Sequence, residues 1–419
     1  MSVQTEISLT PTQVRPAQKW QQLALGLLCM ASISSPQYVW TLLTKPLLER
    51  LDVTLPVLQV TFSLLIVFQT FLSPLQGKLI DRYGAQRLIG LGTLLTGFSW
   101  IGAAVSHSLW MLYLMYGVVG GIGTGIVYIG IIGQVVRWFP HQRGFAAGMV
   151  AAGYGMGAIV TTLPISTSLA HHGLTATLAT FGVGFTVVGG LASRGLREAP
   201  VVKATAGVHL PRQRNYSSSQ MLKQPLFWLL FFMMACMSTS GLMVTSQLAS
   251  FATDIGVGQA LIFGMAALPL AMSLDRLTNG LTRPLFGWVS DRIGRENTMF
   301  VAFILEACAM TLWLTFRQDP LLFILLSGVV FLGWGEIFSL FPATLTDTFG
   351  QQHATSNYGW LYLSQGVGSI LGGPLAALLY QASHGWVPVF SLAIGLDVLT
   401  ALLAITVLKP WRKRFIAHS

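Results

Sequence analysis

The chain of 419 residues is 53% hydrophobic and 9% charged, with a mean hydropathy of +0.65 and a formal net charge of +10. Soluble domains carry about a quarter charged residues, so this composition excludes a string of soluble domains, and its apolar excess excludes disorder. It predicts an all-α polytopic membrane protein, each span needing about 20 apolar residues.

Twelve apolar runs follow one another at 20–44, 54–75, 88–106, 109–136, 144–170, 174–193, 224–250, 259–288, 298–316, 320–345, 355–380 and 386–408. The polar residues 1–19 contain no apolar core of a cleavable signal, so the first run is expected to remain as an anchor. With the N-terminus in the cytoplasm, the inner segments hold 19 of the 24 Lys and Arg. The outer loops hold Lys45, Arg50 and Arg317, while Arg276 and Arg283 lie inside a run. This positive-inside bias predicts cytoplasmic termini and a plasma-membrane (or bacterial inner-membrane) location. It also accounts for the basic charge without a nucleic-acid partner. Cys29, Cys236 and Cys308 sit inside runs without metal-ligand spacing, so no metal or cofactor is expected.

The longest polar interval, 194–223, holds Arg194, Arg197, Lys203, Pro211, Arg212, Arg214 and Lys223 and predicts a cytoplasmic linker. It separates a six-helix bundle at 20–193 from a second at 224–408, with tails at 1–19 and 409–419. A repeat supports that division. Residues 77–87 read GKLIDRYGAQR and residues 287–297 read GWVSDRIGREN. Gly77, Asp81, Arg82 and Gly84 thus return as Gly287, Asp291, Arg292 and Gly294 at an offset of 210. A weaker echo joins Gly155-Met156-Gly157 to Gly366-Val367-Gly368. The glycines permit tight turns, and the aspartates can hold a neighbouring Arg or a helix N-terminus. The two loops are expected to form a latch that breaks when the halves rock; the competing reading is a static turn. This loop, the six-plus-six runs and the basic linker resemble the major facilitator superfamily over essentially the whole chain.

An ionisable residue in mid-membrane costs at least a few kcal/mol unless it faces a cavity or a partner. Arg283 precedes Asp291 by eight residues, roughly 12 Å along a helix, which places it near the midplane. Asn279 is one turn away and Arg276 seven residues away, on the same face. A guanidinium beside an amide suits a carboxylate; an internal ion pair with Asp275 or Glu336 is the competing reading. Glu336 and Asp275 are the proton-coupling candidates, since a carboxyl inside a span can exchange a proton. Glu306 and Asp397 have no evident partner. Gln37, Tyr38, Trp40, Tyr128, Trp334, Phe338, Tyr358, Trp360 and Tyr362 could line a pocket, although Tyr and Trp also serve as interfacial anchors. The run GGIGTGIVYIG at 120–130 lacks a preceding strand, so a dinucleotide loop is excluded and close helix packing remains.

Within the superfamily, PQYVWTLLTKPL (36–47), GIVYIGIIGQVVRWFPHQRGFAAG (125–148), AAGYGMG (151–157), NGLTRPLFGWVSDRIGR (279–295) and SNYGW (356–360) resemble the oxalate/formate antiporter family, a relative of the monocarboxylate porters. The resemblance implies that Arg283 binds a substrate carboxylate, with Gln37, Tyr38, Tyr128, Trp334, Phe338 and Tyr362 around it. Oxalate-carrying members are expected to have a lysine in the eleventh span, where this chain has Gln365. Two cations suit a dianion; one cation plus an amide suits a monoanion such as lactate, pyruvate or formate. Arg276 keeps a dicarboxylate open. A monoanion entering a negative-inside cell must overcome about 2.3 kcal/mol per 100 mV, which proton symport or anion exchange removes.

The expected function is therefore secondary transport of small organic anions by a monomer embedded in lipid, through alternating access around a midplane site. The partners expected are a small carboxylate and a coupled proton. Export of drugs or cations is opposed by Arg283, and a non-transporting carboxylate sensor is the remaining binding-protein reading. The sole His pair, His171-His172, has no nearby Cys or acid, so an enzyme is not expected.

Overall fold

Long apolar runs interrupted by Gly and Pro make the chain almost wholly helical. The computed structural model describes residues 16–199 and 215–417. Lys203, Pro211, Arg212 and Arg214 of the expected linker, and residues 1–15 of the expected tail, lie outside the described residues.

In the N-terminal half, α1 (Pro16–Ser32), α2 (Ser35–Tyr38) and α3 (Trp40–Leu51) form a rod bent by 47°. A second rod of α4 (Leu55–Phe71) and α5 (Ser73–Tyr83) bends by 50°, with Pro74 at the start of α5. They are followed by α6 (Ala85–Ala104), and by α7 (Leu109–Leu112) leading through a π-helical stretch into α8 (Gly120–Trp138). The half ends with α9 (Arg143–Arg194), which breaks at Gly173, where φ is 75°. The C-terminal half comprises α10 (Ser218–Met221), α11 (Pro225–Asp254), α12 (Ala267–Ile293), α13 (Arg295–Thr315), α14 (Pro320–Trp334), α15 (Ile337–Phe349), α16 (Ala354–Ser383) and α17 (Trp386–Leu403). A last helix, α18 (Lys409–Ala417), continues α17 through a π-helical stretch.

Among the described residues seven helices are long and apolar enough to cross a membrane, and nine if each bent pair is one span. The Gly173 break divides α9 where the fifth and sixth runs part, and α6 and α12 occupy the third and eighth. This order is consistent with the twelve runs.

Besides the second run, broken at Leu72 between α4 and α5, three runs differ from the expectation of continuous helix. Residues 259–266, assigned to the eighth run, precede the helix and contain a hairpin of β1 (Leu261–Ile262) and β2 (Met265–Ala266). Phe263 (φ 51°) and Gly264 (φ 78°) supply the two left-handed positions of its turn. The tenth run is interrupted at Gly335-Glu336, between α14 and α15, and the first at residues 33–34 and 39. Each half buries its own helix faces, α9 against α1 and α6, and α13 against α14 and α17. The halves meet where α9 crosses α12 and α15, and where α16 crosses α5 and α8.

Candidate functional site

The repeated loops clasp the two halves at one end of the molecule. Asp81 ends α5 and accepts from the Ser356 backbone N–H at 2.8 Å and the Ser356 hydroxyl at 2.5 Å, in the first turn of α16. Asp291 ends α12 and accepts from the backbone N–H groups of Gly144 at 3.1 Å and Phe145 at 2.9 Å, in the first turn of α9. Each aspartate therefore sits at a helix N-terminus of the opposite half, where four N–H groups lack helical partners. Each also has an arginine from its own half: Asp81 pairs with Arg137, and Asp291 with Arg295 at 2.6 Å. Arg137 further donates across the halves to the Thr355 hydroxyl at 2.9 Å.

The motif glycines have two tasks. A Cβ on Gly77 would stand 2.6 Å from the Thr355 carbonyl oxygen, and one on Gly287 2.2 Å from that of Gly144. Gly84 and Gly294 end their helices at φ 92° and 95°, which L side chains rarely adopt. Arg82 and Arg292 do not join the halves. They are exposed and lie over the Tyr83 and Trp288 rings at 5.4 and 3.8 Å. The bridging arginines are instead Arg137 and Arg143, from the RWFPHQRG segment. Arg143 binds Asp347 at 2.5 Å across the halves, and Asp347 also accepts from Arg295 at 2.9 Å. Asp347 lies beyond the tenth run. Burial would raise its carboxyl, but the Arg295 and Arg143 guanidiniums outweigh burial and hold it below the ordinary carboxylate range.

Between the halves, above this clasp, lies a cavity of about 240 Å³. Gln37, Tyr38, Tyr128, Asn279, Arg283, Trp334, Phe338, Tyr362 and Gln365 all line it, so the structure brings these nine together. Arg276 and Asp275 line it as well. Arg283 is 2% exposed. Its Nη1 donates to the Ala151 carbonyl at 2.7 Å and its Nη2 to Asn279 Oδ1 at 2.8 Å, and the guanidinium lies 4.6 Å from the Phe338 ring centre. Gly155 leaves room for it: a Cβ there would be 3.2 Å from Arg283 Cζ. Arg283 Nε, Asn279 Nδ2 and Gln365 Oε1 have no hydrogen-bond partner among the described residues.

The opposite wall is neutral. Tyr154 donates to Gln37 Oε1 at 2.5 Å and accepts from Gln69 Nε2 at 3.2 Å, and Gln69 also reaches the Tyr362 hydroxyl at 3.4 Å across the halves. The Tyr128 and Tyr362 rings stack at 4.9 Å, with Tyr154 edge-on to Tyr128 at 5.1 Å. Such offset and edge contacts fix ring orientation. Sequence reasoning had not singled out Tyr154 or Gln69. The glycines of AAGYGMG around Tyr154 were its signal; Gln69 lies in an ordinary apolar run and had none. Trp40, Tyr358 and Trp360 do not line the cavity: Trp40 donates to Gln59 at 3.0 Å, in the core of the N-terminal half.

Among the described residues neither Asp275 nor Glu336 makes an ion pair, so the alternative of an internal pair with Arg276 or Arg283 is absent. Glu336, expected beside the pocket, does not line it. It falls in the α14–α15 break between Trp334 and Phe338, which do, and is itself fully buried.

Two clasped groups of helices around a central cavity lined by aromatic, amide and charged side chains define a multi-pass membrane transporter architecture. The Major Facilitator Superfamily model matches residues 23–277 and 266–418, and the chain belongs to that superfamily. It is 31% identical over 369 residues to the oxalate:formate antiporter of Oxalobacter formigenes, covering 88% of this chain and 86% of that protein. It is 27% identical to the uncharacterized MFS-type transporter YhjX of Escherichia coli K12, over 86% of this chain and 88% of that one. Its fold matches the transporter FucP in the outward conformation, with TM-score 0.71 and 13% identity, over 92% of this chain and 98% of that chain.

Proposed function

We propose that the chain carries small organic anions by alternating access, with the substrate carboxylate held by Arg283 and Asn279. The observation that carries this reading is the Arg283 guanidinium, 2% exposed and without an ion-pair partner among the described residues. A buried cation is costly unless an anion joins it, and Arg283 Nε and Asn279 Nδ2 are donors without an acceptor among the described residues. At about 240 Å³ the cavity is smaller than the usual pocket of a drug-sized ligand.

Gln365 lines the cavity as an amide rather than a second cation beside Arg283, which suits a monocarboxylate of the lactate, pyruvate or formate type. A second reading, exchange of oxalate or another dicarboxylate, is favoured by Arg276 as a second cation and by the antiporter relative. We take the clasped end, with its basic loops, as cytoplasmic, and the twelve runs as spans forming bundles at 20–193 and 224–408. The state is then outward-facing, and transport requires Asp81 and Asp291 to release their helix N-termini as the bundles rock. Counterflow in proteoliposomes with labelled lactate, pyruvate, formate and oxalate tests this. Carboxylate exchange that disappears in Arg283→Gln is the expected result; uptake unaffected by that change overturns the assignment. Oxalate carried in preference to the monocarboxylates selects the second reading.

A further inference from the structure

The C-terminal half holds a second set of ionisable groups that the carboxylate site does not use. Glu306 of α13, Glu336 in the α14–α15 break and Asp397 of α17 are each fully buried. They lie within electrostatic reach of one another. None of their six carboxyl oxygens has a hydrogen-bond partner among the described residues.

The groups around them supply little compensation. From α11 the Ser240 hydroxyl donates to the Ala393 carbonyl at 3.3 Å and also faces Asp397, and Cys236 lies beside Asp397. On α17 the Thr400 hydroxyl donates to the Leu396 carbonyl at 2.8 Å. Among the described residues, the α12 cation that acts on the cluster is Arg283, through Glu336. The oxygens do not converge as metal ligands do: among the described residues no three His, Cys, Asp or Glu side chains are arranged to hold a metal ion. Three bare carboxylates in this interior would each carry a desolvation cost of several kcal/mol, compounded by mutual repulsion. The ligand that removes this cost in place is the proton.

The cluster is mechanically joined to the cavity. A Cβ on Gly333 would stand 2.6 Å from Glu306 Cβ, and one on Gly335 2.4 Å from the Asn279 carbonyl oxygen. Thr282 donates to the Leu332 carbonyl. The α14–α15 break is thus wedged between Glu306 and the turn of α12 that presents Asn279 and Arg283. Trp334 and Phe338 on either side of Glu336 form a cavity wall.

We propose that Glu306, Glu336 and Asp397 form a proton-binding site that loads in step with the carboxylate site. This extends the transport reading above and rests on it. With the cavity free, burial and mutual repulsion favour protons on the cluster, while the charge of Arg283 works against one on Glu336. A carboxylate bound to Arg283 cancels that charge, so substrate entry draws a proton onto a carboxylate oxygen of the cluster. Release of the substrate frees Arg283 and returns the proton. The coupled movement is of one anion and one proton in the same direction, with no change in net charge.

Two measurements on the full chain test this. In pH-difference infrared spectra, raising the pH from about 5 to about 9 should bleach protonated-carboxyl carbonyl absorption in the parent. The variant combining Glu306→Gln, Glu336→Gln and Asp397→Asn should lack most of that bleach. An equal bleach in parent and variant, or none in the parent, overturns the proposal. This arm needs no substrate, so it reads the cluster even if lactate is not carried. In proteoliposomes with labelled lactate, each single variant should lose about tenfold of pH-gradient-driven accumulation while counterflow at equal pH falls less than about threefold. Equal losses in both assays, or neither, also overturn it.

Discussion

In the N-terminal half, the side chains that reach the cavity are Gln37, Tyr38, Tyr128 and Tyr154; in the C-terminal half they include Asp275, Arg276 and Arg283. The contrast is sharpest at positions related by the 210-residue repeat. Gln69, Ser73 and Pro74 of the first half correspond to Asn279, Arg283 and Pro284 of the second. Ser73 and Arg283 do the same structural job. Each donates across to a backbone carbonyl of the other half at 2.7 Å, Ser73 to Gly359 and Arg283 to Ala151. Glycines on the facing helices make both approaches possible, since a Cβ on Gly359 or Gly148 would stand 2.3 or 2.2 Å from the Ser73 or Arg283 carbonyl oxygen. The duplicated scaffold fixes the crossing, and divergence at one position decides which half holds the charge. A neutral wall orients a substrate by hydrogen bonds, whereas a charged wall supplies the attraction and the coupling.

That division is broken most directly at the repeat-related pair. Arg283→Gln should lower carboxylate uptake by about a hundredfold, or about 3 kcal/mol, because a buried charge-assisted contact is lost. Ser73→Ala should cost about 1 kcal/mol, the worth of one ordinary hydrogen bond. Equal losses in proteoliposome uptake would show that Arg283 acts only as a crossing contact. The latch, by contrast, is symmetric and predicts symmetric effects. Asp81→Asn and Asp291→Asn should each weaken it by about 2 kcal/mol, since each removes charge-assisted bonds to a helix N-terminus. Spin labels at Lys78 and His353, which flank the clasp from opposite halves, should then report longer distances in both variants. A change in one variant alone would mean that the repeated aspartates share a position but not a task.

The neutral wall is tested by Tyr154→Phe, which removes the contacts to Gln37 and Gln69 while keeping the ring. About 1 kcal/mol is expected, read as about a fivefold rise in the half-saturating substrate concentration.

How legible these features were differs by kind. Arg283, Asn279 and the motif aspartates stood out because charge and amide groups are rare in apolar runs, and because the loop recurs at a fixed offset. Helix periodicity then placed Arg276, Asn279 and Arg283 on one face, and the cavity confirms that face. Gln69 was invisible, because one glutamine in LLIVFQTFL carries no periodic signal, and its partners arrive from residues 154 and 362. The hairpin before α12 is hidden in the sequence because LIFGMAAL is as apolar as a span; only the two left-handed residues mark the turn. The gathering of Glu306, Glu336 and Asp397 was equally hidden, since their sequence separation says nothing about which faces of three helices meet.

The smallest effect concerns the clasp's outermost ion pairs. Burial opposes ionisation of Asp347, yet Arg295 and Arg143 hold its carboxyl below the ordinary value of about 3.9. A group depressed in the folded state contributes stability above its unfolded value and loses it as the pH falls through the folded value. Between pH 7 and 5 this group should therefore leave the melting temperature unchanged, with losses beginning below about pH 4. The size is limited by the neighbours. When Asp347 is neutralised, Arg143 keeps Gln351 at 3.3 Å and Arg295 keeps Asp291 at 2.6 Å. The Asp347 side chain is also 21% exposed. Asp347→Asn should thus cost under about 1 kcal/mol at pH 7, and the gap between parent and variant should close on acidification below about pH 4. A gap that stays constant to low pH would show that Asp347 acts through packing, and that the clasp depends on its two motif aspartates alone.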